Sequence, residues 1–354
     1  MSLIFLDHLQ VATEGRGGLR ASLTPGRVPD GDASLKAVRA YCRMALSLTK
    51  GRFMRVRKAI ILAAGYGTRF LPATKAIPKE MLPLVDKPAI QYVVEEAVRA
   101  GLDQIIMVTA VNKRAVEDHF DRLTDLEVFL EEKGRHQQAA EMRRLSELAD
   151  IVFVRQKERL GIGDAVLRAR QVIGDEPFAL FFPDDIIEGD VPAIGQLIDV
   201  YQRHNGSVVA VERLPREELP HYGVIEPKEL EERVYQVLGI VEKPPAAEAK
   251  SDLGTVGRLV LTPAIFPVIE RTPPGANGEI QLTDSLGLLM QVESLYACRF
   301  TGERFDVGRP IGFLKASLSM ALRRADLAPE LVPYLRELLA REGVGPQPTT
   351  GKGA

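Results

Sequence analysis

Lys58-Ala-Ile-Ile-Leu-Ala-Ala-Gly-Tyr-Gly-Thr-Arg69, followed by Lys79-Glu-Met-Leu-Pro83, is the stretch on which the fold turns. The apolar run has no alternation, so it reads as a strand buried on both faces, as in a parallel sheet. It ends in small residues, where backbone N–H groups can approach a ligand at the carboxyl edge of the sheet. Gly65 and Gly67 leave room there for a polyphosphate. A Gly-rich strand exit can also be only a bend, but Arg69 and Lys79 beside it would be costly to cluster without an anionic partner. Two familiar phosphate loops are excluded: a dinucleotide fingerprint needs glycine where Phe70 stands, and the region lacks the GxxxxGK[ST] of a Walker loop.

Outward from that strand, KAIILAA, QIIMVTA, IVFVRQ and FALFF alternate with amphipathic helical stretches as far as about Tyr201. Such alternation marks an α/β protein with a parallel sheet. In the first helix, from about Pro88, one face carries Ile90, Val93, Val94, Ala97 and Val98, while Glu95, Glu96 and Arg99 fall off it. Gly101 supplies a left-handed stop. A charged helical insertion between Arg114 and Ala149 reads as a solvated helical hairpin, with a role in substrate choice as the other reading. Beyond Asn205, SVVAVERL, YGVIEP, RVYQVLGIVEKP, GTVGRLVL and VESLYACRF extend the sheet as mixed strands, and two helices, Ile311 to Arg323 and Glu330 to Arg341, close the chain. The expected fold is α/β: a Rossmann-like, mixed but mainly parallel central sheet flanked by helices. Residues 1–53 read as a poorly structured extension with one modest helix around Leu35 to Leu48, either an appendage or a misassigned start, with a targeting or partner-binding arm as the functional reading. Residues 54–342 are the expected catalytic domain and 343–354 a flexible tail.

Of 354 residues, 45% are hydrophobic and 27% charged, and the net charge of -2 gives no basic arm for nucleic acid and no acidic tail. Cys42 and Cys298 lack metal or disulfide-framework spacing, so a reducing, cytoplasmic setting is expected. No apolar run is long enough to span a bilayer. Five scattered histidines exclude a zinc-type cluster, which leaves carboxylate and phosphate oxygens, and hence magnesium, for any metal.

LAAGYGTRFLPATKAIPKEMLPLVDKP resembles the signature of the sugar-nucleotide pyrophosphorylases, in particular the bacterial enzymes that join UTP to glucose 1-phosphate. The resemblance runs from about Lys58 to Arg323 through VRQKERLGIGDAV, FPDDII, YGVIEP, VEKP, VGRLVL, GEIQLTD and RFDVG. It implies a nucleotidyltransferase fold of GT-A-like type, with a nucleotide cradle at Ala63, Ala64, Gly65 and Gly67, and base recognition by Gln156 and the backbone at Gly161. It implies Mg2+ on Asp184 and Asp306, the glucose hydroxyls on Glu242, the sugar phosphate on Lys243, and backbone approach to the sugar at Gly223 and Gly257. Read without the resemblance, Gln156 caps a strand end, Asp184-Asp185 is a solvated turn, and Glu242-Lys243 is a surface turn. Glu279 is a helix-capping acid or a ligand contact. Asp164 departs from the pattern, which usually has His after LGxG.

The implied reaction is direct nucleotidyl transfer from UTP to glucose 1-phosphate, with Arg69, Lys79, Lys243 and Asp184 as the catalytic groups and Mg2+ as cofactor. Its rivals are the same chemistry with dTTP, a catalytically silent sugar-nucleotide-binding regulator, and a dehydrogenase already weakened by Phe70. The resemblance also implies a homo-oligomer, dimer or tetramer.

Overall fold

The computed structural model describes strand residues within 4–22, and residues 54–275 and 278–343. The chain divides into two units, Met1–Phe53 and Met54–Ala354. In the first, β1 (Ile4–Leu6), β2 (Leu9–Glu14) and β3 (Gly18–Ser22) form an antiparallel sheet where irregular chain was expected. The helix expected around Leu35 to Leu48 and the tail from 344 lie outside the described residues.

The second unit is built on β4 (Lys58–Leu62), the decisive run of the sequence. Two short strands, β5 (Pro83–Leu84) and β6 (Lys87–Pro88), pair with each other. Then come β7 (Gln104–Thr109), β8 (Asp150–Arg155), β9 (Phe178–Phe181), β10 (Asp185–Glu188), β11 (Val208–Arg213), β12 (Gly223–Glu231), β13 (Val234–Glu242), β14 (Leu253–Leu261), β15 (Tyr296–Arg299) and β16 (Glu303–Asp306). Nine strands make one sheet in the order β11-β15-β13-β12-β14-β9-β4-β7-β8. The pairings make all of them run one way except β13 and β14. A separate ribbon pairs β10 with β16 and sets Asp185 opposite Asp306.

Alternation along β4 fixes two layers of core. Ala59 and Ile61 face a cluster that includes Val93, Val94 and Leu197, from helices Ala89–Arg99 and Ala193–His204. Ile60 faces a cluster that includes Val166, Phe266 and Leu286, from helices Ile162–Arg168, Ile265–Ile269 and Leu282–Leu289. Ile60 and Ile61 are fully buried, and truncating either to Ala would cost about 2–5 kcal/mol.

The helix after β6 runs Ala89–Arg99, and Gly101 with φ of 81° ends it as expected. Glu96 corrects the reading of its polar face: the side chain is buried and paired with Arg258 from β14, 162 positions away. The charged insertion folds as helices Thr124–Glu132 and His136–Ser146, with Glu127 held by Arg122 and Arg143. GEIQLTD becomes helical only at Leu282, so Glu279 lies in the preceding loop and its expected role as a helix acid shifts by a turn.

Candidate functional site

Parallel strands β4, β8 and β9 all point their carboxyl ends at one place, and their exit loops form a cleft of about 400 Å³. Ala64, Gly65 and Gly67 come from the first loop, Gln156 and Gly161 from the second, and Asp184 from the third; Lys79 and Glu279 also face it. This is the position in which α/β sheets bind ligands. The loops are tied together. Arg159 donates from Nε to the Ala64 carbonyl at 2.9 Å, and its guanidinium lies 3.6 Å from the centre of the Tyr66 ring. The loop carrying Glu279 is joined to the second by Ile280 N–H to Leu160 O at 2.7 Å and Gly163 N–H to Ile280 O at 2.9 Å.

Gly67 and Gly161 earn their glycines differently. Gly67 has φ of 70°, and a Cβ there would stand 3.0 Å from Lys79 Cβ. Gly161 has φ of 102°, and a Cβ would lie 2.7 Å from Ile280 backbone atoms. Ala63 is fully buried, its N–H is spent on the Val108 carbonyl at 2.8 Å, and it is not among the residues lining the cleft.

Lys79 donates to Asp184 Oδ2 at 2.7 Å. Burial alone would raise the Asp184 carboxyl, but the Lys79 ammonium outweighs it and holds the group below the usual carboxylate range. Burial likewise opposes the charge on Lys79, and Asp184 with Glu80 more than offsets it, so this ammonium titrates above an ordinary lysine. Exposed Arg69 is close enough to act on both.

Asp184 and Asp306, far apart in the sequence, are brought together by the β10–β16 ribbon. Val307 N–H donates to the Asp184 carbonyl at 2.8 Å, and the point where a Gly308 Cβ would stand is 2.8 Å from Asp184 Oδ2 and 3.1 Å from Asp306 Oδ1. Burial, and after it the carboxylates of Asp185 and Asp184, push Asp306 upward despite Arg304. Crowded carboxylates with a raised partner are a donor set that a divalent cation relieves. Among the described residues, no group of three or more His, Cys, Asp or Glu side chains forms a metal site by itself. A cation here would therefore complete its shell from substrate and water.

Asp185 opens strand β10 just past a turn at Pro183-Asp184, closed by its N–H on the Phe182 carbonyl at 3.2 Å, and its carboxylate serves other partners than that of Asp184. Its Oδ2 accepts the Gly257 N–H at 2.8 Å and its Oδ1 accepts Arg304 Nε at 2.6 Å, which ties β10, β14 and β16. The reading of Gly257 as a place for sugar changes accordingly. A Cβ on it would meet Phe182 Cβ at 2.5 Å and Asp185 Oδ2 at 2.6 Å, and its carbonyl accepts from Phe182 N–H and Arg258. Its smallness serves the protein's own packing. Gly223 is similarly pressed by the Thr255 hydroxyl, at 2.8 Å from an added Cβ.

Gly223 and Glu242 are register partners across β12 and β13. Glu242 Oε2 accepts from Thr283 Oγ1 at 2.7 Å, and its Oε1 lies 3.1 Å from Lys243 Nζ. Lys243 is exposed, with φ of 46° and its N–H on the Tyr222 carbonyl. Sequence reasoning missed Arg159, Arg304, Arg258 and the buried pair of Lys113 with Glu80 at 2.7 Å. Burial lowers the Lys113 ammonium, and this pair backs the Lys79 turn directly. Of these, only Arg159 carried a local signal, a cation in the loop that also carries Gln156.

A family model described as nucleotidyl transferase matches residues 58–322. A UTP–glucose-1-phosphate uridylyltransferase of Bacillus subtilis is 50% identical over 290 residues, 82% of this chain and 99% of its own. One from Staphylococcus haemolyticus is 49% identical over 80% of this chain and 99% of its own. Among solved structures, a UDP-glucose pyrophosphorylase complexed with UDP-glucose superposes with a TM-score of 0.70 at 43% identity, covering 76% of this chain and all of that one. A UTP-bound enzyme of Acinetobacter baumannii gives 0.75 at 40% identity, over 80% and 99%. Matched by the family model from the first core strand into helix Pro310–Arg323, and similar in fold to these enzymes over 76% or more of its length, the chain belongs to the nucleotidyl transferase family, in the branch of the UTP–glucose-1-phosphate uridylyltransferases.

Proposed function

We propose that the protein transfers the uridylyl group of UTP to α-D-glucose 1-phosphate, giving UDP-glucose and pyrophosphate, in one in-line displacement. The observation that carries this reading is the Lys79–Asp184 pair on a cleft whose walls also hold Gln156 and Gly161, with Asp306 set beside Asp184. A phosphate oxygen of the sugar phosphate bonds to the α-phosphorus as the bond to the bridging oxygen breaks, and that electron pair leaves with pyrophosphate. No covalent enzyme intermediate is needed, so positioning and charge do the catalysis.

In this reading Ala64, Gly65 and Gly67 cradle the triphosphate, and Gln156 with the Gly161 backbone meets the base. Glu242, oriented by Thr283, takes glucose hydroxyls. Lys243 reaches the sugar phosphate, which aligns the nucleophile against a like-charged triphosphate. Asp184 and Asp306 are the residues that would hold Mg2+, which when bound would offset charge around the α-phosphate. Lys79 guards Asp184 in the free protein; with nucleotide present its ammonium, together with Arg69, stabilises the departing pyrophosphate.

The domain at 54–342 is the catalytic unit in this account. Self-association is in keeping with Ile311, Leu314, Leu318 and Leu322, exposed on helix Pro310–Arg323. A cytoplasmic setting suits Cys298, a free thiol that burial pushes up to about 11. No helix among the described residues is long and apolar enough to cross a membrane.

Turnover over a panel of nucleoside triphosphates and hexose 1-phosphates, with and without Mg2+, tests the reading. UTP with glucose 1-phosphate should lead, and pyrophosphate release should need the ion. Higher turnover with dTTP would favour the thymidylyl rival, and no pyrophosphate with any pair would favour a silent binder.

A further inference from the structure

We infer that Asp164, acting through Gln156, sets the hydrogen-bond polarity that the cleft presents to the base, and so selects pyrimidines with a proton on N3 over those without one. The inference rests on the reading above that Gln156 meets the base.

A glutamine amide is two-faced, since a half-turn exchanges donor and acceptor. Gln156, only 5% exposed, has its choice removed. Its Nε2 lies 2.8 Å from Asp164 Oδ2 and 3.1 Å from the Gly161 carbonyl. Both neighbours are acceptors, so the NH2 group must face them. Asp164 is 2% exposed, and its other oxygen is engaged by Arg168, with Nε at 3.0 Å. That leaves Oδ2 for Gln156 alone. Turning the amide over would set three acceptors against one another in a buried place, which is costly.

With both N–H groups spent inward, Gln156 Oε1 has no hydrogen-bond partner among the described residues, yet it is not a sealed, unsatisfied atom. The residue lines the cleft beside Gly161 and Ala165. The cleft is thus offered an acceptor with a fixed direction. Uracil presents N3–H to such a group. Cytosine presents the N3 lone pair, and two acceptors then face each other. Thymine has the same N3–H, so Asp164 takes no part in separating UTP from dTTP.

The test is kcat/KM for UTP and for CTP, with glucose 1-phosphate, in the parent and in D164N, D164S and Q156A, alongside the Tm of each. In D164N, Arg168 holds the remaining carbonyl oxygen and the new NH2 group faces Gln156, which drives its amide over. The UTP:CTP ratio should narrow by about tenfold, mainly through KM for UTP, with KM for glucose 1-phosphate unchanged. D164S, whose hydroxyl donates or accepts, should shift the ratio the same way by less, and it decides the matter if D164N does not fold. If both nucleotides lose equally in these variants, or the ratio stays put while Q156A narrows it, Asp164 has no such role. A ratio unmoved by Q156A would instead remove the base contact itself.

Discussion

Arg258 is the largest fully buried side chain among the described residues, and replacing it with Met should be among the most damaging single changes away from the cleft. Its guanidinium donates from Nη2 to Glu96 Oε2 at 2.8 Å and to the Asp185 carbonyl at 2.6 Å, and from Nη1 to the carbonyls of Phe182 and Gly257. Methionine keeps the apolar stem and strands the Glu96 carboxylate, whose remaining described donor is the Ile194 N–H at 3.1 Å. The Phe182 and Gly257 carbonyls keep backbone donors in Asp185 N–H and Phe182 N–H, so the unpaired charge dominates. Breaking such a pair costs about 3–5 kcal/mol. That is a large share of the 5–15 or so that a domain has, and it should move a urea midpoint down by about 1 M or more. Glu96→Gln leaves the opposite charge buried and should cost a similar amount. The double variant should lose at least about 2 kcal/mol less than the sum of the singles, because the two share one interaction. Arg258 also clamps the turn that carries Asp184, so turnover well below the melting temperature should fall in Arg258→Met as well. A loss under about 1 kcal/mol, with additive singles, would refute the assignment of this pair as the clamp of the catalytic turn.

Lys79→Ala should cut turnover about a hundredfold, roughly 3 kcal/mol of transition-state stabilisation; near-parent pyrophosphate release would remove Lys79 from the chemistry. The Lys79–Asp184 pair also has a pH signature. Asp184 titrates lower in the folded protein than unfolded, so its contribution is present above the ordinary carboxylate range and lost as pH falls through the lowered value. Lys79 is raised, so its contribution holds below the ordinary lysine value and fades as pH rises through the raised one. The stability gap between parent and Lys79→Met, from urea unfolding, should therefore close towards both extremes; a gap flat with pH would contradict the pairing. Gly161→Ala forces a Cβ to 2.7 Å from Ile280 backbone atoms at a φ of 102° and should cost about 1–3 kcal/mol of strain. It should raise KM for UTP, and an unchanged KM would mean that this turn does not shape the base pocket.

How far the sequence is legible follows from what pattern can carry. The buried run at Lys58–Leu62, the helix face of Ile90, Val93, Val94 and Ala97, and the strand exits that meet at the cleft are local signals, and each stands where its pattern puts it. Pairing between remote charges is not local. Glu96 reads as solvated because its partner is 162 positions away, and the grip of Arg304 on Asp185 spans 119. Neither spacing leaves a trace in periodicity. Glycine is ambiguous for a related reason: Gly257 reads as space for a ligand, while Phe182 and Asp185 fill that space. The acidic pair at 184 and 185 splits where a turn gives way to strand β10, one side chain to the cleft and one into the core lock. The convergence of Asp184 with Asp306 is implied by the family resemblance alone, and the β10–β16 ribbon is its physical cause.

The proposed uridylyl transfer requires Asp184 and Asp306 to act as one unit beside Lys79. Its most direct measurement is Mg2+-dependent pyrophosphate release by Asp184→Asn, Asp306→Asn and the double variant, each with unfolding checked. Each single change should lower turnover by about a hundredfold or more and the double should be little worse than either, as for groups that work together. Losses that multiply in the double variant, or parent-like turnover in either single, would contradict it.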